Sequence, residues 1–163
     1  MIYKIRIILD TEEDIFRDIE IEYNVSLEDF HNAITQAFGF LGNEMASFYT
    51  CDDNWNQDEE IPLFDTSESN AQVRLMQDTP LSSIVTEDSP KLIYVYDFLS
   101  MWTFFVELAD VEKKEDGKAY PNVLFSFGEL PESPPEKHFE ADSGPEFDTF
   151  DNYEDLDFDE NWN

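Results

Sequence analysis

Arg17, His31 and Asp97 are the residues whose types and settings invite chemistry. An arginine inside an apolar strand can clamp an anion, and a histidine on the apolar stripe of a helix can act as a general base or a ligand. An aspartate between Tyr96 and Phe98 can be a carboxyl whose apolar setting raises its pKa. Each has a plainer reading that outweighs the catalytic one. His31 suits a core-edge histidine hydrogen-bonded to a strand, and Asp97 suits a hairpin turn in which it accepts backbone N–H bonds. Arg17 suits a partly buried ion pair, with Asp97 as its partner.

Other reactive sets are weak. His31 and His138 are the two histidines and Cys51 is the one cysteine, which falls short of the paired nitrogen and sulfur ligands of a zinc site. Asp155, Asp157 and Asp159 match the first alternating ligands of a calcium loop, but Glu160 stands where that loop needs glycine. No glycine-rich phosphate loop is present. The expectation is no metal and no cofactor.

Charge narrows the partners. Nine Lys and Arg stand against 39 Asp and Glu, a formal charge of −30 over 163 residues. Nucleic-acid binding draws on clustered cations that release counter-ions, so it is excluded, as is an anionic membrane surface. A basic protein partner is favoured. No run approaches the roughly 18 apolar residues of a membrane span. The opening residues lack the apolar region of a signal peptide, and a lone cysteine forms no intrachain disulfide, so the expected location is cytoplasmic.

The elements that must position these side chains follow from periodicity. Tyr3, Ile5, Ile7 and Leu9 alternate with Lys4, Arg6 and Ile8, which predicts a strand. Ile15, Arg17, Ile19, Ile21 and Tyr23 alternate with Phe16, Asp18, Glu20 and Glu22 after a polar turn, which predicts a hairpin. Lys4 and Arg6 are the expected cross-strand partners of its acidic face. Leu27, Phe30, His31, Ile34, Ala37 and Phe38 form a helical stripe, capped by Asn24 or Ser26 and stopped by Gly39.

Residues 47–51 predict a short strand, 52–70 a long acidic excursion without periodicity, and 72–76 another short strand. Pro80 suits the first position of a helical turn through Val85. Leu92 to Phe98 and Trp102 to Leu108 predict a second hairpin, and Val123 to Phe127 a last strand.

Composition changes near Gly128. Residues 129–163 hold one lysine against thirteen acids, a formal −12. Phe147, Phe150, Tyr153, Phe158 and Trp162 recur among those acids, a pattern of segments that fold on binding a basic partner. The organisation read from sequence is a domain over 1–128 followed by an acidic, aromatic tail over 129–163, flexible or partly docked.

Four features, taken in order, resemble the plasmid pRiA ORF-three-like family, whose members include insertion-element passenger proteins sometimes labelled TnpR-like. They are the strand Ile15-Phe16-Arg17-Asp18-Ile19; the helix from Leu27 through His31 and Ile34 to Ala37-Phe38-Gly39-Phe40; Tyr94-Val95-Tyr96-Asp97-Phe98 followed by Trp102; and Tyr120-Pro121 with Ser133-Pro134-Pro135-Glu136. The resemblance covers about residues 1–136. It implies an α+β fold with a mostly antiparallel sheet built from hairpins and helices packed on one face. The departures fall on polar positions: Leu99-Ser100-Met101 replaces Gly-Asp and a variable residue, Phe104 replaces His, Ser133 replaces Cys, and Asn43-Glu44-Met45 lacks a His. The resolvase-like label fails on chemistry, because Arg6, Arg17 and Arg74 are the only arginines and no basic helix exists.

Two functions follow as expectations. One is a non-enzymatic interaction protein whose acidic surface and tail engage a basic protein, with a DNA mimic as a variant. The other is a small-ligand binder or enzyme with a pocket near Arg17, His31, Asp97 and Trp102, the residues carried by the family-like segments.

Overall fold

The computed structural model describes residues 1–64, 74–132 and 134. Seven strands form one sheet: β1 (Ile2–Leu9), β2 (Phe16–Glu22), β3 (Ala46–Cys51), β4 (Gln57–Pro62), β5 (Lys91–Tyr96), β6 (Trp102–Glu112) and β7 (Asn122–Phe127). Their order across the sheet is β4-β3-β5-β6-β1-β2-β7, and each neighbouring pair is antiparallel. Among the described residues helix α1 (Leu27–Phe38) is the one helix of several turns; α2 (Leu81–Ile84) and a 3-10 turn (Met76–Asp78) are short. The fold is α+β and mostly antiparallel sheet.

The first hairpin pairs Ile5 with Ile19 and Ile7 with Arg17, so Tyr3, Ile5, Ile7 and Leu9 share a buried face with Ile19 and Ile21. Period two makes that face continuous. On the other face Arg6 grips Asp18 through Nε and Nη2 at 2.8 and 2.9 Å, as the alternation predicts. Lys4 departs from expectation. It turns to Glu112 on β6 at 2.8 Å, because β1 lies between β2 and β6 and offers its side chains to both. Glu20, opposite Lys4 in the register, takes Lys118 instead.

Helix α1 starts at Ser26, whose Oγ accepts the Asp29 N–H at 3.1 Å, with Glu28 and Asp29 at the positive end of the dipole. It stops at Gly39, left-handed at φ 83°, where Phe40 N–H closes onto Thr35 O at 2.8 Å. Leu27, Phe30, Ile34 and Phe38 are buried in the same core as β1, β5 and β6. Phe30 stacks on Phe48 of β3 at 5.4 Å, and Phe38 meets Phe104 of β6 at 4.7 Å. Burying each such side chain contributes about 1.5–3 kcal/mol, enough to hold a twelve-residue helix that would be marginal alone.

Two expectations are corrected. The acidic excursion contains β4, whose Ile61 and Glu60 pair with Phe48 and Tyr49. Its first four residues are exposed and only Ile61 and Pro62 are buried, so no alternation marked it. Of the expected strand at 72–76, residues 72 and 73 lie outside the described residues, and Met76 opens the 3-10 turn. Pro80 caps α2 from just outside its first turn. Among the described residues, no helix is long and apolar enough to cross a membrane.

Candidate functional site

Arg17 reaches the core face of β2 and is almost wholly buried. Its Nε donates to Ala37 O at 3.2 Å, and its Nη1 donates to Phe16 O at 2.8 Å and Phe127 O at 3.1 Å. The guanidinium carbon sits 4.8 Å from the centre of the Phe38 ring. Burial without a carboxylate lowers its pKa. The expected ion pair with Asp97 does not form. Three carbonyls, from the end of α1, from β2 and from β7, take the place of the acid, so Arg17 is a clasp between elements.

His31 is 2% exposed. Its Nδ1 lies 2.6 Å from the Tyr94 hydroxyl on β5, the hydrogen bond to a strand that its position on the stripe predicts. Burial pulls the imidazole down to about 4 and pushes the Tyr94 phenol well above its ordinary value, so both are neutral near pH 7.

Asp97 follows β5 with φ 63°, in the left-handed region that aspartate tolerates better than most residues. Its Oδ1 accepts Leu99 N–H at 3.1 Å and Ser100 N–H at 3.4 Å. The carboxylate therefore shapes the β5–β6 turn, as expected. Trp102 opens β6 opposite Tyr96 and packs on Phe40 at 5.3 Å.

Three of the four candidates abut one aromatic cluster. His31 meets Tyr96 at 6.4 Å, Tyr96 stacks on Phe40 at 4.6 Å, and Phe40 touches Trp102; Arg17 joins through Phe38, 6.4 Å from Phe40. Asp97 points its carboxylate away from them into its own turn. Phe40 is the hub that periodicity missed, because it lies past the glycine that ends the helix. Tyr96 also accepts the Gly42 N–H at 3.0 Å, which ties the loop after α1 to β5. This is a packed aromatic centre with a few satisfied polar atoms.

Three clefts lie elsewhere. One of about 430 Å³ is walled by Lys4, Lys113, Lys114 and Lys118 with Glu20 and Glu112. Another of about 610 Å³ runs along Cys51, Asp52, Asn56, Ser83 and Lys91. A third of about 260 Å³ separates Ala33 and Ala37 of α1 from Pro121 and Val123. None of these three takes a wall from Arg17, His31, Asp97 or Trp102. Among the described residues no group of three or more His, Cys, Asp and Glu side chains is placed to hold a metal ion. Phe147, Phe150, Tyr153, Phe158 and Trp162 lie outside the described residues.

The family model described as plasmid pRiA4b ORF-3-like protein matches residues 1–137. The chain belongs to that family. The pRiA4b ORF-3-like match thus covers the hairpin, the helix, the Tyr94–Trp102 segment and β7 together. No curated protein matches the chain. Among solved structures, it is similar to a crystallised protein of unknown function from Methanosarcina mazei Go1, MM3350, with a TM-score of 0.67 and 19% identity over 77% of this chain and 68% of that one. At that identity the likeness bears on the fold alone.

Proposed function

We propose that this pRiA4b ORF-3-like protein is a non-enzymatic, cytoplasmic interaction protein that engages a basic protein. In this reading an α+β body over 1–128, with α1 and α2 on one face of the sheet, carries an acidic surface, and the acidic tail over 129–163 adds aromatic anchors. The observation that supports it is the use of the candidate polar groups. Arg17 is spent on three carbonyls, His31 on Tyr94 and Asp97 on its own turn. Each already serves the fold, whereas 39 acids against nine cations leave a surface suited to a basic partner.

The test is affinity capture by the immobilised full chain at moderate salt, beside a variant with Phe147, Phe150, Tyr153, Phe158 and Trp162 all changed to Ala. A basic protein held by the full chain and lost by the variant is the expected result. Equal capture by both, or specific binding of a small molecule quenching Trp102 fluorescence, would count against it.

A further inference from the structure

The sheet ends in two edges of opposite character. On β4 the exposed residues are Gln57, Asp58, Glu59 and Glu60, followed by Pro62. Charge and proline are what proteins place on an edge to prevent a further strand from adding. On β7 itself neither is present, though Pro121 stands just before it and its pairing with β2 is bulged at Leu124. From Ala119 to Gly128 there is no charged residue, in a chain that is 29% charged. Val123, Leu124, Phe125 and Phe127 are 47, 43, 51 and 49% exposed, and among the described residues β7 has one neighbour, β2. Phe16 of β2 extends the apolar surface, stacking on Phe127 at 5.6 Å and lying 5.9 Å from Phe125.

We propose that β7 pairs with β7 of a second copy, joining two sheets across a two-fold axis. The charge pattern selects this occupant. A chain of −30 associates with itself only where its acids are absent, and this edge is such a place. Lys118 precedes the uncharged run and Glu129 follows it. Antiparallel self-pairing therefore brings the Lys118 end of one copy toward the Glu129 end of the other, twice, as a two-fold contact requires. A basic partner would find no acid between residues 119 and 128 to bind. In the chain's own acidic segment Phe147, Phe150 and Tyr153 are spaced by three, but Phe150, Leu156, Phe158 and Trp162 keep the two-residue period of a strand, so that segment is the competing occupant the test must separate.

The contact is small. Two half-exposed phenylalanines a copy, each burying about 150–250 Å² when fully covered, give roughly 400 Å² over both copies before Val123 and Leu124 add their smaller share, well below the roughly 1,200 Å² of a stable complex. The dimer is therefore weak and concentration-dependent, with dissociation expected on the order of micromolar to hundreds of micromolar.

Sedimentation of the full chain over that concentration range, at physiological salt to screen the net charge, tests the proposal. The wild type should move from monomer toward dimer mass. Phe125→Lys and Ser126→Lys, both at exposed positions, should each shift the transition at least tenfold upward while a sharp thermal transition persists. Ser126→Lys keeps every aromatic, so it serves if Phe125→Lys does not fold. Hydrogen exchange on β7 should slow as protein concentration rises. The proposal is overturned if the wild type stays monomeric, if Glu59→Lys on the opposite edge weakens association as much as Ser126→Lys, or if β7 protection is independent of concentration. That last outcome, with β7 protected at every concentration, would point to the chain's own residues 135–163 as the occupant.

Discussion

The His31 imidazole and the Tyr94 phenol meet at 2.6 Å inside the core, joining the middle of α1 to the middle of β5 by a bond between two neutral groups. The neutrality of His31 has a thermodynamic consequence. Its folded-state pKa is about 4 and its ordinary value 6.5, so between these the unfolded chain binds a proton that the folded chain refuses. Stability therefore falls as pH drops through that window, by up to about 3 kcal/mol from this group alone.

His31→Gln keeps a hydrogen-bonding partner for Tyr94 but does not titrate. Urea denaturation from pH 7 to pH 4 should show the wild type losing stability relative to the variant, with most of the relative loss below pH 6.5. Parallel curves would mean that protonation of His31 is not coupled to unfolding.

Arg17 makes a second prediction. Its guanidinium joins Ala37 O, Phe16 O and Phe127 O across three elements, a reach that an ammonium cannot reproduce. Arg17→Lys should leave buried carbonyls unpaired and cost about 2 kcal/mol. Amide exchange should quicken first in β7, the edge strand that Arg17 holds through Phe127. Uniform acceleration across the sheet would show that the clasp is not local.

These two residues also mark how far the sequence could be read. Strands with one buried face announced themselves by alternation: β1 and β2 needed only Tyr3 to Leu9 and Ile15 to Tyr23. Helix α1 carried its own stop in Gly39 and a start at Asn24 or Ser26, between which only the structure chose Ser26, and the hydrogen bond of His31 to a strand followed from its place on the stripe. Convergence was not legible. Nothing local in the chain says that Ala37 O and Phe127 O, 20 and 110 residues from Arg17, replace a carboxylate. Phe40 lies beyond the helical period and still becomes the hub between Tyr96 and Trp102. Strand β4 is joined by backbone pairing along an exposed edge, and pairing of that kind leaves no apolar rhythm.

Glu20 supports a third prediction. It is 2% exposed, with Lys118 Nζ 2.7 Å from Oε1. Burial acts to raise its pKa, but the ion pair with Lys118, helped by Asn122 and the charge of Lys4, outweighs it and holds the carboxyl below its ordinary 4.5. A depressed carboxyl stabilises the fold above its unfolded pKa, and that contribution is lost as pH falls through the folded value. Lys118→Met should remove the cation and move the onset of acid unfolding to higher pH. Glu20→Gln, which does not titrate, should flatten the acid limb below about pH 4.5. An acid limb identical in both variants and the wild type would refute the coupling.

Gly128 closes β7 against the first hairpin and tests the fit of that edge most directly. It sits at φ 80°, and a Cβ there would fall 2.7 Å from Asp14 O and 2.9 Å from Ile15 Cγ1. The first contact is with backbone, so a rotamer change cannot relieve it. Gly39 has nearly the same φ, 83°, but open space around the Cβ position. The two glycines thus separate conformational strain from steric exclusion. Gly39→Ala should cost only the left-handed penalty, about 1–2 kcal/mol. Gly128→Ala adds the displacement of the 14–15 backbone and should cost about 2–4 kcal/mol, visible as a lower urea midpoint at unchanged slope. Because among the described residues β7 pairs with the sheet only through β2, Gly128→Ala should also loosen β7 ahead of global unfolding. Equal losses at the two glycines would show that the 14–15 segment yields freely and that β7 is not pinned at its end.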